Sequence, residues 1–164
     1  MPTQDILNSN EATRQLLATV NEDECHAKPD DQTWSALECL EHIVVVEKGL
    51  LNVLRMELSD ESPETVGVAQ IQSALANRDV RIPAPDFILP KGRFATWQAA
   101  TDQFFAQRQT LLEMTENKVH EQTGTFPHPL LGPLSKLEWI YFGLAHTERH
   151  LSQIKDVLAL NRAG

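Results

Sequence analysis

The sequence predicts an all-α chain, a four-helix bundle with a long crossover between the second and third helices. Three observations predict it. Four segments repeat apolar residues at helical spacing. Two Ser-x-x-Glu boxes, starting at Ser35 and Ser135, open the second and fourth of these segments. No run alternates apolar and polar residues convincingly enough to read as a strand, and no internal repeat or low-complexity region interrupts the pattern.

The first helix is expected from about Asn8 to Glu24, with Leu16, Leu17 and Val20 facing inward, before Lys28-Pro29-Asp30-Asp31 breaks the chain. The second begins after Trp34. Ser35 is its N-cap and Glu38 closes the box, and Leu37, Leu40, Val44, Leu51 and Leu54 carry the apolar stripe to about Leu58. Residues 59 to 94 form the crossover, interrupted by Pro63, Gly67, Pro83, Pro85, Pro90 and Gly92, with VAQIQSALANR as a short helix inside it. The third long helix covers about Thr96 to Val119, with Trp97, Phe104, Phe105, Leu111 and Leu112. An irregular stretch, TGTFPHPLLGPLS, ends at the N-cap Ser135, and the fourth helix runs to about Leu160.

At 164 residues the chain suits one domain, 1–164, with a substantial core. Its formal net charge of -9 argues against a nucleic-acid partner, because phosphate binding needs a basic face. Apolar stretches such as Ile43 to Val46 are far too short to span a membrane, and no basic amphipathic segment suggests membrane docking. MPTQDILNSNEATRQLL lacks a positive start followed by an apolar run, so no signal peptide is expected. Cys25 and Cys39 are then expected as reduced thiols of a cytoplasmic protein.

The chemistry-bearing stretch is AHTERHLSQI, where His146 and His150 stand one helical turn apart. At ~100° per residue, Glu148, Ser152, Lys155 and Asp156 project to one side, and Thr147 turns away with them. Trp139, Phe142, Ile154 and Val157 project to the other, and both histidines lie among them with Gln153 beside. A lone histidine on an apolar face is usually a hydrogen-bonded core residue. Two at i, i+4 must both find partners in a dry core, and a shared metal ion satisfies both at once. The spacing leaves both readings open. The motif lacks the Glu directly after the first histidine that a zincin requires, since Thr147 stands there.

A third imidazole is available on the second helix. His42 projects to the border between the apolar stripe and a polar stripe of Glu38, Glu41, Lys48 and Asn52, near Val46, Gly49 and Val53. A ligand there can face a cleft open on one side, as a three-ligand catalytic site requires, and Gly49 can leave room for a bound molecule. Cys39, one turn before His42, is either a fourth ligand or a buried thiol. His26 and His120 fall at the C-terminal ends of the first and third helices, where a cation is favoured. His128, between prolines, lies in a loop that can fold over the site.

WSALECLEHIVVVE, a long middle section, and then HPLLGPLSKLEWIYFGLAHTERHLSQI resemble the DinB-like (YfiT-type) metal-binding four-helix-bundle family. This is the damage-inducible family, unrelated to the polymerase that shares the name. The likeness covers nearly the whole chain and is most specific at Trp34-Ser35, at His-Pro and Gly-Pro-Leu before the fourth helix, and at the final His-x-x-x-His. It implies a divalent metal, Zn or Ni, held by His42, His146 and His150. It also implies a homodimer, and a small-molecule substrate that for the better-understood relatives is a low-molecular-weight thiol.

Two functions follow as expectations. One is a metal-dependent enzyme, a thiol-dependent S-transferase or a hydrolase, with Glu38 as the proton-transfer or supporting carboxylate and Gln153 orienting a ligand. The other is a non-catalytic metal-binding or stress-response protein with a small-molecule pocket. A helical interaction module without metal is the third alternative.

Overall fold

The computed structural model describes residues 1–59, 61 and 63–164. Helix α1 spans Pro2–Leu17, α2 Glu22–Cys25, α3 Ala36–Arg55, α4 Val68–Ala76, α5 Trp97–Glu116 and α6 Lys136–Ala163. The four long helices α1, α3, α5 and α6 pack as the bundle, and α4 lies in the crossover against α6. Among the described residues no helix is long and apolar enough to cross a membrane.

The boundaries follow from local chemistry. Both expected capping boxes form: the Ser35 and Ser135 hydroxyls accept the N–H groups of Glu38 and Glu138, whose carboxylates accept the cap N–H in return. A cap of this kind is worth ~1 kcal/mol. The first helix differs from the expected Asn8 to Glu24. Pro2 starts it six residues earlier, since a missing N–H costs nothing in a first turn. It stops at Leu17, and Asn21 opens a separate short helix with its own box to Glu24. Helix α3 ends at Arg55 rather than Leu58, where the buried Lys136 ammonium donates to the carbonyls of Leu54 and Met56.

One element went unpredicted. Strands β1 (Thr125–His128) and β2 (Gly132–Ser135) form an antiparallel hairpin in the stretch read as irregular. Pro127 and Pro133 face each other, so the missing N–H groups fall on one rung, and Gly132 takes a positive φ of 73° at the turn. Four-residue strands with prolines carry too little alternation to be read from sequence.

The core is divided. One apolar cluster gathers Leu17, Leu37, Leu40, Val44, Phe104, Leu151 and Ile154. The other gathers Ile6, Leu50, Leu54, Leu111, Ile140 and Phe142. Between them each long helix contributes polar side chains. Arg108 of α5, 1% exposed, donates to Glu47 of α3 at 2.6 Å, to Ser9 and Asn10 of α1, and to Thr147 of α6 at 2.9 Å. Thr147 is therefore buried, although projection turned it toward solvent. A threonine hydroxyl reads as surface until its partner, an arginine from another helix, is known.

Candidate metal centre

The three histidines meet. Helix α3 carries His42, α6 carries His146 and His150, and one ring nitrogen from each lies within 4.8 Å of the others. The Nε2 atoms of His42 and His146 are 3.1 Å apart. Ring centroids are separated by 4.9 Å for His42–His146, 4.6 Å for His42–His150 and 4.4 Å for His146–His150. The Trp34 ring lies 5.1 Å from His42 and stacks on His150 at 6.4 Å, and Phe142 lies 5.5 Å from His146. His42 and His146 are buried and His150 is half-buried. The expectation that His42 sits at an open border is thus corrected: the crossover packs over it. Gly49 is exposed, a Cβ added there would meet no described atom within 4 Å, and it does not line the site.

Two rings have their tautomers set. His42 Nδ1 lies 2.9 Å from the carbonyl of Ile88, in a short 3-10 turn (Asp86–Ile88) of the crossover. His150 Nδ1 lies 2.8 Å from Gln153 Oε1. An oxygen acceptor fixes the proton on Nδ1, which leaves the Nε2 lone pair to face inward. Burial holds all three rings below the ordinary histidine pKa. It lowers His42 and takes His146 well down, with repulsion from His150 adding to it; His150 falls to about 4 through burial and then the charge of His42. Neutral imidazoles with converging ring nitrogens are the form that binds a metal ion.

These residues fit a divalent ion. Two nitrogens on a tetrahedral ion with bonds of 2.0–2.1 Å stand ~3.3 Å apart, close to the His42–His146 spacing. Two lone pairs at 3.1 Å repel unless a proton or a cation lies between them.

The other candidates are placed elsewhere. Cys39 is fully buried in the apolar cluster with its thiol pushed up to about 12 by burial, and its sulfur is not among the converging atoms. Glu38 closes the Ser35 box and meets Lys28 at 3.4 Å. It also lines a cavity of about 380 Å³ with His26, Glu41 and Gly92. His26 caps the short α2, and His120 sits in a 3-10 turn after α5. His128 Nδ1 accepts the N–H groups of Leu130 and Leu131, and its ring lies 4.5 Å from Phe142, which borders His146. Sequence reasoning missed Ile88 as a partner, because a backbone carbonyl leaves no side-chain signal. It also set Glu41 on a polar stripe, whereas Glu41 is 2% exposed and paired with Arg93. Leu37 and Val44, one turn to either side on the same face, were the available sign of that burial.

Comparison with known proteins adds the lineage. The Bacillus subtilis (strain 168) protein YuaE is 23% identical over 142 residues, which covers 86% of this chain and 87% of that one. A solved structure described as TT2238, a four-helix bundle protein, superposes with a TM-score of 0.59 at 20% identity, over 94% of this chain and 98% of that one. That likeness establishes the bundle fold. The family model of the DinB superfamily matches residues 7–154, and the chain belongs to that superfamily.

Proposed function

We propose that the protein is a metal-dependent enzyme whose His42, His146 and His150 hold a Zn²⁺ or Ni²⁺ ion with an open position for substrate. The observation that carries this reading is the ligand set: three imidazole nitrogens converge, with no fourth His, Cys, Asp or Glu joining them among the described residues. A closed structural site uses four protein ligands, and a catalytic one keeps a position free. When bound, such an ion lowers the pKa of a coordinated thiol or water.

The chain's own groups do the rest. Ile88 and Gln153 hold the His42 and His150 protons on Nδ1. Trp34 and Phe142 pack against the His42 and His146 rings. Glu38, one turn before His42 and held by the Ser35 cap and Lys28, is assigned as a supporting carboxylate that does not touch the ion. The substrate assigned is a low-molecular-weight thiol, transferred to an electrophile by a homodimeric, cytoplasmic enzyme, with hydrolysis as the alternative reaction. Elemental analysis of untagged protein tests the metal, expecting one equivalent. Incubation of the metal-loaded protein with small thiols and monochlorobimane tests the transfer. Full metal content without metal-dependent conjugation or hydrolysis would leave the non-catalytic metal-binding role.

A further inference from the structure

We infer that Glu41 is a positioning residue for the metal centre, acting through the backbone of the crossover rather than by touching the ligands. This rests on the three-histidine metal reading above.

The observations begin with an oddity. Glu41 is a carboxylate 2% exposed, one position before His42, and it does not face the imidazoles. Its two oxygens are taken by the far end of the crossover. Oε2 accepts the Lys91 N–H at 2.5 Å and an Arg93 guanidinium N–H at 2.6 Å, and Oε1 accepts the Arg93 N–H at 2.9 Å. The same Arg93 nitrogen also donates to the Leu89 carbonyl at 2.9 Å. Two amides two residues apart reach one carboxylate because Gly92 between them turns at a φ of 72°. That backbone strains any residue with a Cβ, although a Cβ there would meet no atom within 4 Å. Leu89, tied to Arg93, directly follows Ile88, whose carbonyl receives the His42 Nδ1 proton. A short chain of bonds therefore runs from Glu41, through residues 93 to 88, back to the ring of the next residue in α3.

The physical consequence concerns the tautomer. Neutral imidazole in water places its proton on either nitrogen, and only the Nδ1–H form presents an Nε2 lone pair to the ion. Holding Ile88 O against Nδ1 selects that form and fixes the ring plane, and partners of this kind typically change metal affinity by about 10- to 100-fold. A carboxylate is suited to the task because all its partners donate. In Glu41→Gln one of the two positions becomes an N–H facing other donors, so one end of the crossover detaches.

The test uses the full chain. Zn²⁺ is titrated into metal-free wild type, Glu41→Gln and Gly92→Ala, and the His42 tautomer is read in each metal-free protein by long-range ¹H–¹⁵N NMR. The expected result is His42 protonated at Nδ1 in the wild type and mixed in both variants, with Zn²⁺ affinity lowered about tenfold or more. Gly92→Asn, which tolerates a positive φ, should recover most of the affinity. Unchanged Zn²⁺ affinity in folded Glu41→Gln, or an unchanged tautomer in both variants, would overturn the assignment. If Glu41→Gln fails to fold, Gly92→Ala decides alone, since it leaves the carboxylate intact. If the wild type binds neither Zn²⁺ nor Ni²⁺, the metal reading falls, while the tautomer comparison still decides whether Glu41 places Ile88 on His42.

Discussion

His42 and His146, 104 positions apart in the chain, point their Nε2 atoms at each other across 3.1 Å. With the His42 proton held on Nδ1, this approach is favourable when a cation or the His146 Nε2 proton lies between the two nitrogens. The first prediction concerns that cation. Replacing His42, His146 or His150 by Ala should remove bound metal and abolish any rise in melting temperature on adding Zn²⁺ or Ni²⁺. An ion present at 100 times its Kd stabilises by ~2.7 kcal/mol, a shift that calorimetry resolves easily. A variant lacking one imidazole that is still stabilised as strongly as the wild type would refute the ligand set.

Acidification should weaken the fold in a defined window. The three rings have folded-state pKa values below the ~6.5 of an unfolded chain, His150 at about 4. The unfolded chain then binds more protons between these values, so stability is full above pH ~6.5 and is lost as pH falls toward 4. His128, lowered to about 4 by burial, acts in the same direction. Urea denaturation of metal-free protein at pH 7 and 4.5 should differ by on the order of 2 kcal/mol or more. The His150→Gln variant should show a smaller difference, and an identical one would remove His150 from the account.

The Glu47–Arg108 pair is a separate vulnerability. Glu47 is 2% exposed, and its second carboxylate oxygen has no hydrogen-bond partner among the described residues. Burial raises the Glu47 pKa against the opposing pull of Arg108. Arg108→Met should therefore cost about 3–5 kcal/mol, because it strands a buried carboxylate. Arg108→Met with Glu47→Leu should cost clearly less than the two single losses added together. Additive losses in chemical denaturation would show that the two groups act independently.

Gly143 sets how closely α6 approaches α3. A Cβ at this position would fall 2.5 Å from Leu50 Cδ2, and Leu50 is 1% exposed, with little room to change rotamer. Gly143→Ala should cost about 1–3 kcal/mol through overpacking. Gly143 lies one turn before His146, so the displaced helix should also weaken metal binding. Leu50→Ala in the same protein should restore binding even if it does not restore stability. Full metal affinity in the single variant would separate the two helices' packing from the site.

Most of the bundle and the three histidines were legible because helical periodicity converts spacing into direction. Ser35 and Ser135 announced their helices by side-chain chemistry alone, and both boxes are present. The match extends to the short helix of the crossover, expected within VAQIQSALANR and found at Val68–Ala76. What stayed hidden depends on partners distant in sequence. Thr147 read as solvent-facing because nothing near it in the chain announces Arg108. The amides of Lys91 and Arg93 that hold Glu41 are as remote, although Leu37 and Val44 marked its face as buried. The start of α1 was misplaced for a different reason: its first two turns are mostly polar on the outside, and only Ile6 is a buried large apolar side chain there.

The polar band between the two apolar clusters has a consequence for error. Sliding α6 by one turn along its neighbours would shift it ~5.4 Å and keep much of its apolar stripe in contact with apolar surface. The same slip would take the Thr147 hydroxyl from Arg108 and leave a guanidinium donor without its acceptor in the dry interior. Thr147 and His146 are adjacent, about 100° apart around the helix, so locking one to Arg108 also aims the other at His42. Arg108 thus serves as an index pin. The alignment of the imidazoles is guarded by a side chain outside the ligand set, and substitutions that erode the pin should scatter the site before they unfold the bundle.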